Sequence, residues 1–228
     1  MKTYPVNLVG LENERCLVIG GGAVAEGKVM GLVAAGARPI VISPAITPTL
    51  AALAAESRIE HRPRPFSPQD VTGAFLVIAA TNDPELNRQV WEAARRQGAL
   101  VNVVDAPAQC HFYAPSLVRR GDFVVSISTG GAAPALAARS RRELEARFGP
   151  EYEIMAAWCA AVRPAVQDAF PDPDERKARW YALVDSPVLA LLGNGRIAEA
   201  RAWVAQIMGA EVAACLPPLA RESSHERD

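Results

Sequence analysis

Residues Cys16–Lys28 read CLVIGGGAVAEGK. A short apolar run, CLVI, ends in three consecutive glycines, and an Ala/Val-rich stretch with helical spacing follows at once. Gly20-x-Gly22-x-x-Ala25 matches the dinucleotide fingerprint in its strand–turn–helix setting. Each small residue has its own task. Gly20 allows the tight turn off the strand, Gly22 lets backbone approach a pyrophosphate, and Ala25 lets the helix pack closely on the strand. The helix N-terminus then offers unpaired N–H groups and a positive dipole end to phosphates. A glycine turn in a sheet protein that binds nothing carries the same letters, so this stretch points to a nucleotide without naming a reaction.

Outward from it, strand and helix signals alternate. Arg15–Gly20 reads as the first strand, Ala23–Ala35 as a helix closed by Gly36, and Pro39–Ser43 as the second strand. Thr47 caps a short helix to Glu56, with Pro48 at its first position. Arg58–Arg62 is a weak third strand, followed by the loop RPRPFSP. Phe75–Ala80 is a strongly apolar fourth strand, Asn82 or Asp83 caps a helix from Pro84 to Gln97, and Leu100–Val104 is a fifth strand. Continuous apolar strands between amphipathic helices imply an α/β, Rossmann-like parallel sheet with ligands beyond the strand C-termini.

The pattern changes after residue 111. Phe112–Leu117 and Phe123–Ser128 flank a Gly121-Asp122 turn and predict an antiparallel hairpin. Ser128-Thr129-Gly130-Gly131 leads into a helix from Pro134 to Arg147, Gly149-Pro150 breaks the chain, and about three helices follow over Tyr152–Phe170, Asp174–Val184 and Ile197–Met208. The expected organisation is a nucleotide domain at 1–113, a hairpin-plus-helix segment at 114–149, a helical domain at 150–216 and a disordered polar tail at 217–228.

Bulk properties narrow the partners. The chain has 228 residues, half of them hydrophobic, and a formal net charge of −1, so no global field draws it to nucleic acid or an anionic membrane. No apolar run reaches membrane-spanning length, and MKTYPVNLVG lacks the apolar core of a signal peptide. Cys16, Cys110, Cys159 and Cys215 are far apart, which fits a reduced, cytoplasmic protein, and no metal-site spacing is present. Cys16 reads as a buried small hydrophobe.

Several residues fit chemistry and structure alike. Asp105, after the fifth strand, faces the same crevice as the glycine turn and suits a general base, or a turn capping Ala106-Pro107. Asn102 lines that crevice or satisfies backbone, and His111 stands close to Asp105 in sequence. Thr81, Asn82 and Asp83 lie in the loop that borders the cofactor side. Ser128-Thr129-Gly130-Gly131 is an anion cradle or a capped helix start. Arg119, Arg120, Arg139, Arg141 and Arg142 suit carboxylates or form a solvated basic face. The second strand ends in Ser43-Pro44-Ala45 without the acid that ordinarily holds an adenosine ribose, leaving backbone or the Ser43 hydroxyl to do so. There is no Tyr-x-x-x-Lys pair, no G-x-S-x-G elbow and no Walker lysine motif.

Five stretches together resemble the precorrin-2 dehydrogenase / sirohydrochlorin ferrochelatase family, which also forms the N-terminal module of siroheme synthase. They are Gly20–Lys28, Ala34–Pro44, Val77–Asn87, Asn102–Ser116 and Val125–Glu145. NVVD followed by F-x-x-P-S and S-x-G-G-x-x-P is far more specific than the glycine turn. The resemblance implies NAD-dependent oxidation of precorrin-2 to sirohydrochlorin, with ferrous iron insertion in some members. It implies Asp105 as the proton-removing residue, and as the metal-side residue in a chelatase. It places Gly20, Gly21, Gly22, Ala23, Val24, Pro44 and Ala45 at the cofactor, and Ser43 and Thr81 are further candidates for binding it. Asn102, His111, Ser128, Thr129, Gly130, Gly131 and Arg139 are the candidates for binding a polycarboxylate ring. The family lacks the strand-two acid too, forms a homodimer through its middle segment, and covers its substrate with its helical end. Gly27 and Ala133 depart from an Arg and a phosphorylatable Ser seen in other members, so regulation at Ala133 is not expected. The sequence stops well short of a methyltransferase half. Two other classes fit the fold: an NAD-sensing regulatory module, and a tetrapyrrole or metal carrier without turnover.

Overall fold

The apolar runs of the first half lie side by side as a five-stranded parallel sheet in the computed structural model, which describes residues 3–218. The strands are β1 (Cys16–Ile19), β2 (Ile40–Ile42), β3 (Glu60–Arg62), β4 (Leu76–Ala79) and β5 (Leu100–Val103), in the order β3-β2-β1-β4-β5. Chain order reverses between β1 and β4, paired Cys16 to Leu76 through Ile19 to Ala79. The crevice beyond their C-terminal ends is therefore the topological switch point.

Burial on both faces explains the unbroken apolar strands. Val18, Val41 and Ile78 pack with Val29 and Leu32 of α1 (Ala23–Ala34) and with Leu50 and Leu53 of α2 (Pro48–Ala55). Leu17, Ile42, Val77 and Val101 pack on the opposite face with Val90, Ala93 and Ala94 of α3 (Pro84–Arg96). Cys16 sits in the core on the α1 and α2 face, where burial, helped by Glu14, pushes its thiol up to about 11 and keeps it protonated. Thr47 caps α2 by accepting the Leu50 N–H, and Asp83 caps α3 by accepting those of Glu85 and Leu86.

The loop RPRPFSP has an anchor of its own. Asp70 is buried, and its carboxylate accepts both ends of the Arg64 guanidinium fork and the Ser67 N–H at 2.8 Å. The Arg64 hydrogen bonds hold the Asp70 carboxyl below its ordinary range.

This sheet unit runs as far as Ala114 and takes in Gly130–Ala132; a second compact unit holds Pro115–Thr129 and the described residues from Ala133 onward. In the second unit, β6 (Ser116–Arg120) and β7 (Phe123–Ile127) form the expected hairpin around Gly121. The first of these strands begins four residues later than the sequence predicts. Residues 110–112 instead run back beside β5, where the His111 N–H donates to the Val101 carbonyl at 2.7 Å. Arg120 donates to the carbonyls of Phe148 and Glu145, closing the end of α4 (Pro134–Arg147).

The helical end contains α5 (Glu151–Ala169), α6 (Pro173–Val184), α7 (Val188–Gly193), α8 (Ile197–Met208) and α9 (Ala210–Ala213). Trp158, Val162, Val166, Leu183, Leu191, Val204 and Met208 form its core. Helices α7 and α9 were not expected, being too short to show a helical period. From residue 219, the tail expected to be disordered lies outside the described residues. Among the described residues, no helix is long and apolar enough to cross a membrane.

Candidate functional site

The three glycines of the turn do different work. Gly20 has φ +118° and donates its N–H to the Ile42 carbonyl at 3.0 Å. A Cβ on Gly20 would lie 2.4 Å from the Ala80 carbonyl oxygen, and one on Gly21 would lie 2.1 Å from that of Ala45. These two glycines let the turn pass between the ends of β4 and β2. Around a Cβ on Gly22, by contrast, nothing lies within 4 Å. Gly22 is exposed and caps α1 with no side chain on the first-turn N–H groups. Ala23 and Val24 beside it are exposed, while Ala25 is fully buried against the sheet.

An open cradle at Gly22, above the N-terminus of a twelve-residue helix, fits a dinucleotide pyrophosphate in room and in charge. Glu26, which the sequence did not single out, and Thr47, expected only as a helix cap, brace this cradle. The Thr47 hydroxyl donates to Glu26 at 2.5 Å, and the Thr47 N–H donates to the Gly21 carbonyl at 3.0 Å.

At the end of β2, the Ser43 hydroxyl donates to the Ala45 carbonyl at 2.7 Å. The His61 ring stands 2.9 Å from the Ser43 carbonyl. The hydroxyl proton is thus engaged in building the Ser43-Pro44-Ala45 turn, whose Pro44 and Ala45 are exposed. After β4, Thr81 is clamped by Asn87 of α3. Asn87 Oδ1 accepts the Thr81 hydroxyl at 2.8 Å and its N–H at 3.3 Å, and Asn87 Nδ2 donates to the Thr81 carbonyl at 3.0 Å. Asn87 is buried at a position where the stripe Val90–Ala94 calls for an apolar residue, and that break in the pattern was a signal in the sequence.

Asp105 follows β5 at the same end of the sheet as the glycine turn, because all five strands are parallel. It is exposed and has φ +60°. Ser57, the other non-glycine residue with positive φ among the described residues, closes α2 in an ordinary helix-end conformation. Asp105 stands third in a turn closed by the Ala106 N–H on the Val103 carbonyl at 3.3 Å, a place where aspartate tolerates positive φ.

His111 stands elsewhere than expected, and Asn102 takes the backbone-satisfying one of its two readings. The His111 ring lies 3.2 Å from the carbonyl of Ala99, at the N-terminal end of β5, whereas Asp105 follows the C-terminal end. The reversal at residues 110–112 carries His111 away, so it is not a neighbour of Asp105 in space. Asn102 is buried and donates to the Phe112 carbonyl at 2.9 Å, holding the returning segment rather than lining an open crevice.

In the Ser128-Thr129-Gly130-Gly131 stretch, Gly130 and Gly131 have φ +61° and +81°. Nothing lies within 4 Å of a Cβ on Gly131. The Thr129 hydroxyl accepts the Ala133 N–H at 3.2 Å, so it stabilises the helix approach, while Ala133 itself caps α4 without a side-chain bond. Ser128 is exposed. The arginines separate by partner. Arg139 pairs with Glu143 at 2.9 Å, Arg141 pairs with Glu145, and Arg120 is spent on backbone carbonyls. Among the described residues, no group of three or more His, Cys, Asp or Glu side chains comes together as a metal site.

Comparison with known proteins identifies what the chain is similar to. Residues 8–116 match an NAD(P)-binding family model, residues 120–147 the central region of sirohaem biosynthesis proteins, and residues 151–208 the sirohaem synthase dimerisation region. A siroheme synthase of Thioalkalivibrio sulfidiphilus is 43% identical over 88% of this chain and 41% of its own length. One from Methylobacillus flagellatus is 39% identical over 91% of this chain and 44% of its own length. The chain thus spans less than half the length of these curated relatives. The solved structure of SirC, a precorrin-2 dehydrogenase, superposes with a TM-score of 0.74 at 22% identity, covering 90% of this chain and 98% of that one. It shares the fold.

Proposed function

We propose, from the premise that this chain belongs to the precorrin-2 dehydrogenase / sirohydrochlorin ferrochelatase family, that it oxidises precorrin-2 to sirohydrochlorin with NAD+. The observation that carries this reading is the open cradle at Gly22 together with Asp105 at the same end of one parallel sheet. NAD+, when bound, supplies the hydride acceptor. The reaction removes a hydride and a proton from the reduced macrocycle and yields sirohydrochlorin, NADH and H+.

The chain's residues divide that work. The first-turn N–H groups of Ala23 and Val24, with the backbone of Gly22, bind the pyrophosphate, and Gly20 and Gly21 shape the turn that presents them. Backbone of the Ser43-Pro44-Ala45 turn borders the ribose, and Thr81, held by Asn87, borders the dinucleotide from the β4 side. The Asp105 carboxylate takes the proton from the ring. The open turn at Gly131, around whose Cβ position nothing lies within 4 Å, receives a substrate carboxylate. Ferrous iron, where it is inserted, is a second substrate that approaches Asp105. Residues 1–113 serve as the NAD domain, and a cytoplasmic homodimer forms; the residues that match the dimerisation region, 151–208, lie beyond the middle segment at 114–149 first expected to build it.

The test is direct. Folded protein is incubated with precorrin-2 and NAD+, and NADH formation is followed with the sirohydrochlorin spectrum. Both should appear together; absence of turnover refutes the reading and leaves the NAD-sensing or carrier classes. Addition of Fe2+ to sirohydrochlorin decides chelation, and light scattering decides the dimer.

A further inference from the structure

Cys110 lies five residues beyond Asp105, at the point where the chain turns back beside β5. Its sulfur is 3.3 Å from the Val103 amide nitrogen, 3.2 Å from the Val103 carbonyl and 3.4 Å from the Ala106 carbonyl. The amide of buried Asn102 backs the sulfur at 3.6 Å while also holding the Phe112 carbonyl. A second tie comes from Tyr113, whose hydroxyl donates to the Pro107 carbonyl at 3.3 Å. Both ties close around residues 104–109, the segment that keeps Asp105 at φ +60°.

Left free, an aspartate at positive φ relaxes to a commoner backbone region and swings its carboxylate away. The Ala106 N–H closes the turn on the Val103 carbonyl at 3.3 Å, and further contacts on the same segment hold it there. The thiol suits the task because one sulfur accepts the Val103 N–H and donates to either nearby carbonyl, joining the start of the turn to its middle. We propose that Cys110 is a positioning residue for Asp105, latching the turn that presents the carboxylate to the substrate. This rests on the assignment of Asp105 as the proton acceptor.

The experiment compares Cys110→Ala and Cys110→Ser, alone and in an Asp105→Asn background, with kcat and KM measured separately and amide hydrogen exchange measured alongside. Cys110→Ala should lower kcat about tenfold, with the NAD+ KM changed by less than about twofold, and Cys110→Ser should recover part of the loss. With Asp105→Asn already present, Cys110→Ala should change the residual rate by less than about twofold, since the thiol acts through that carboxylate. Exchange at Val103 and across residues 104–110 should quicken about tenfold, with α1 and α3 unchanged. An equal fall in both backgrounds, or wild-type kcat in folded Cys110→Ala, overturns the proposal. If Cys110→Ala does not fold, the same comparison is made with Cys110→Ser. If the wild-type protein shows no turnover, the dehydrogenase reading fails first, and unchanged exchange at Val103–Cys110 then overturns the latch by itself.

Discussion

The Asn87 side chain holds the Thr81 backbone by both its N–H and its carbonyl, at 3.3 and 3.0 Å. A buried amide on α3 thereby fixes the strand end that borders the nucleotide crevice. Replacing Asn87 with Leu fits the apolar stripe of the helix but strands two backbone groups. We expect a loss of about 1–3 kcal/mol in urea unfolding and a raised KM for NAD+. An unchanged KM in a folded variant separates Thr81 from cofactor binding.

The glycines of the turn should part company under substitution. Gly22→Ala adds a Cβ where nothing lies within 4 Å, at φ −83°, so stability should stay within about 0.5 kcal/mol of wild type. NAD+ affinity should nevertheless fall by about tenfold or more, because the methyl occupies the phosphate cradle. Gly20→Ala and Gly21→Ala drive a Cβ into backbone oxygen and should fold poorly whether or not NAD+ is present. Calorimetric titration with NAD+ beside thermal melts reads both effects.

Substitutions at Asp105 distinguish its carboxylate from its backbone. Asparagine tolerates positive φ nearly as well as aspartate, so Asp105→Asn should match the wild-type melting temperature. Its turnover should fall by about 10²–10⁴-fold for loss of a general base. Asp105→Ala should lose both activity and some stability. Wild-type turnover by Asp105→Asn would remove Asp105 from the proton transfer.

Acid should weaken the sheet unit through Asp70. Its carboxyl is held below the ordinary range by Arg64, so its stabilising contribution is in full force above the unfolded value and is lost as pH falls through the folded one. With an unfolded value of about 3.9, Asp70→Asn should lower the urea midpoint at neutral pH. The gap to wild type should narrow below about pH 4. A constant gap across pH would assign the effect to packing rather than charge.

The sheet was legible because its information is local. Apolar strands, Pro48 and Pro84 at helix starts, and caps at Thr47 and Asp83 all lie within a few residues of what they decide. Asp105 was legible from its motif, since it follows β5 directly. His111 was misplaced because its position depends on a reversal at residues 106–110, fastened by sulfur contacts that no periodicity records. Backbone satisfaction was one of two readings of Asn102, and the choice between them was hidden for the same reason, its partner being a carbonyl ten residues away. The arginine cluster looked uniform as a sequence, yet Arg120 and Arg139 have different partners that only the folded helix end reveals.

The returning segment at residues 110–112 has one further consequence. β5 is an outermost strand, and such edges ordinarily offer a ladder of main-chain groups to any extended chain that arrives. Here the Val101 carbonyl already receives the His111 N–H, and the Val103 N–H is met by the Cys110 sulfur. The molecule has capped that flank with its own backbone, so strand addition from another chain is blocked on the side of the sheet next to Asp105.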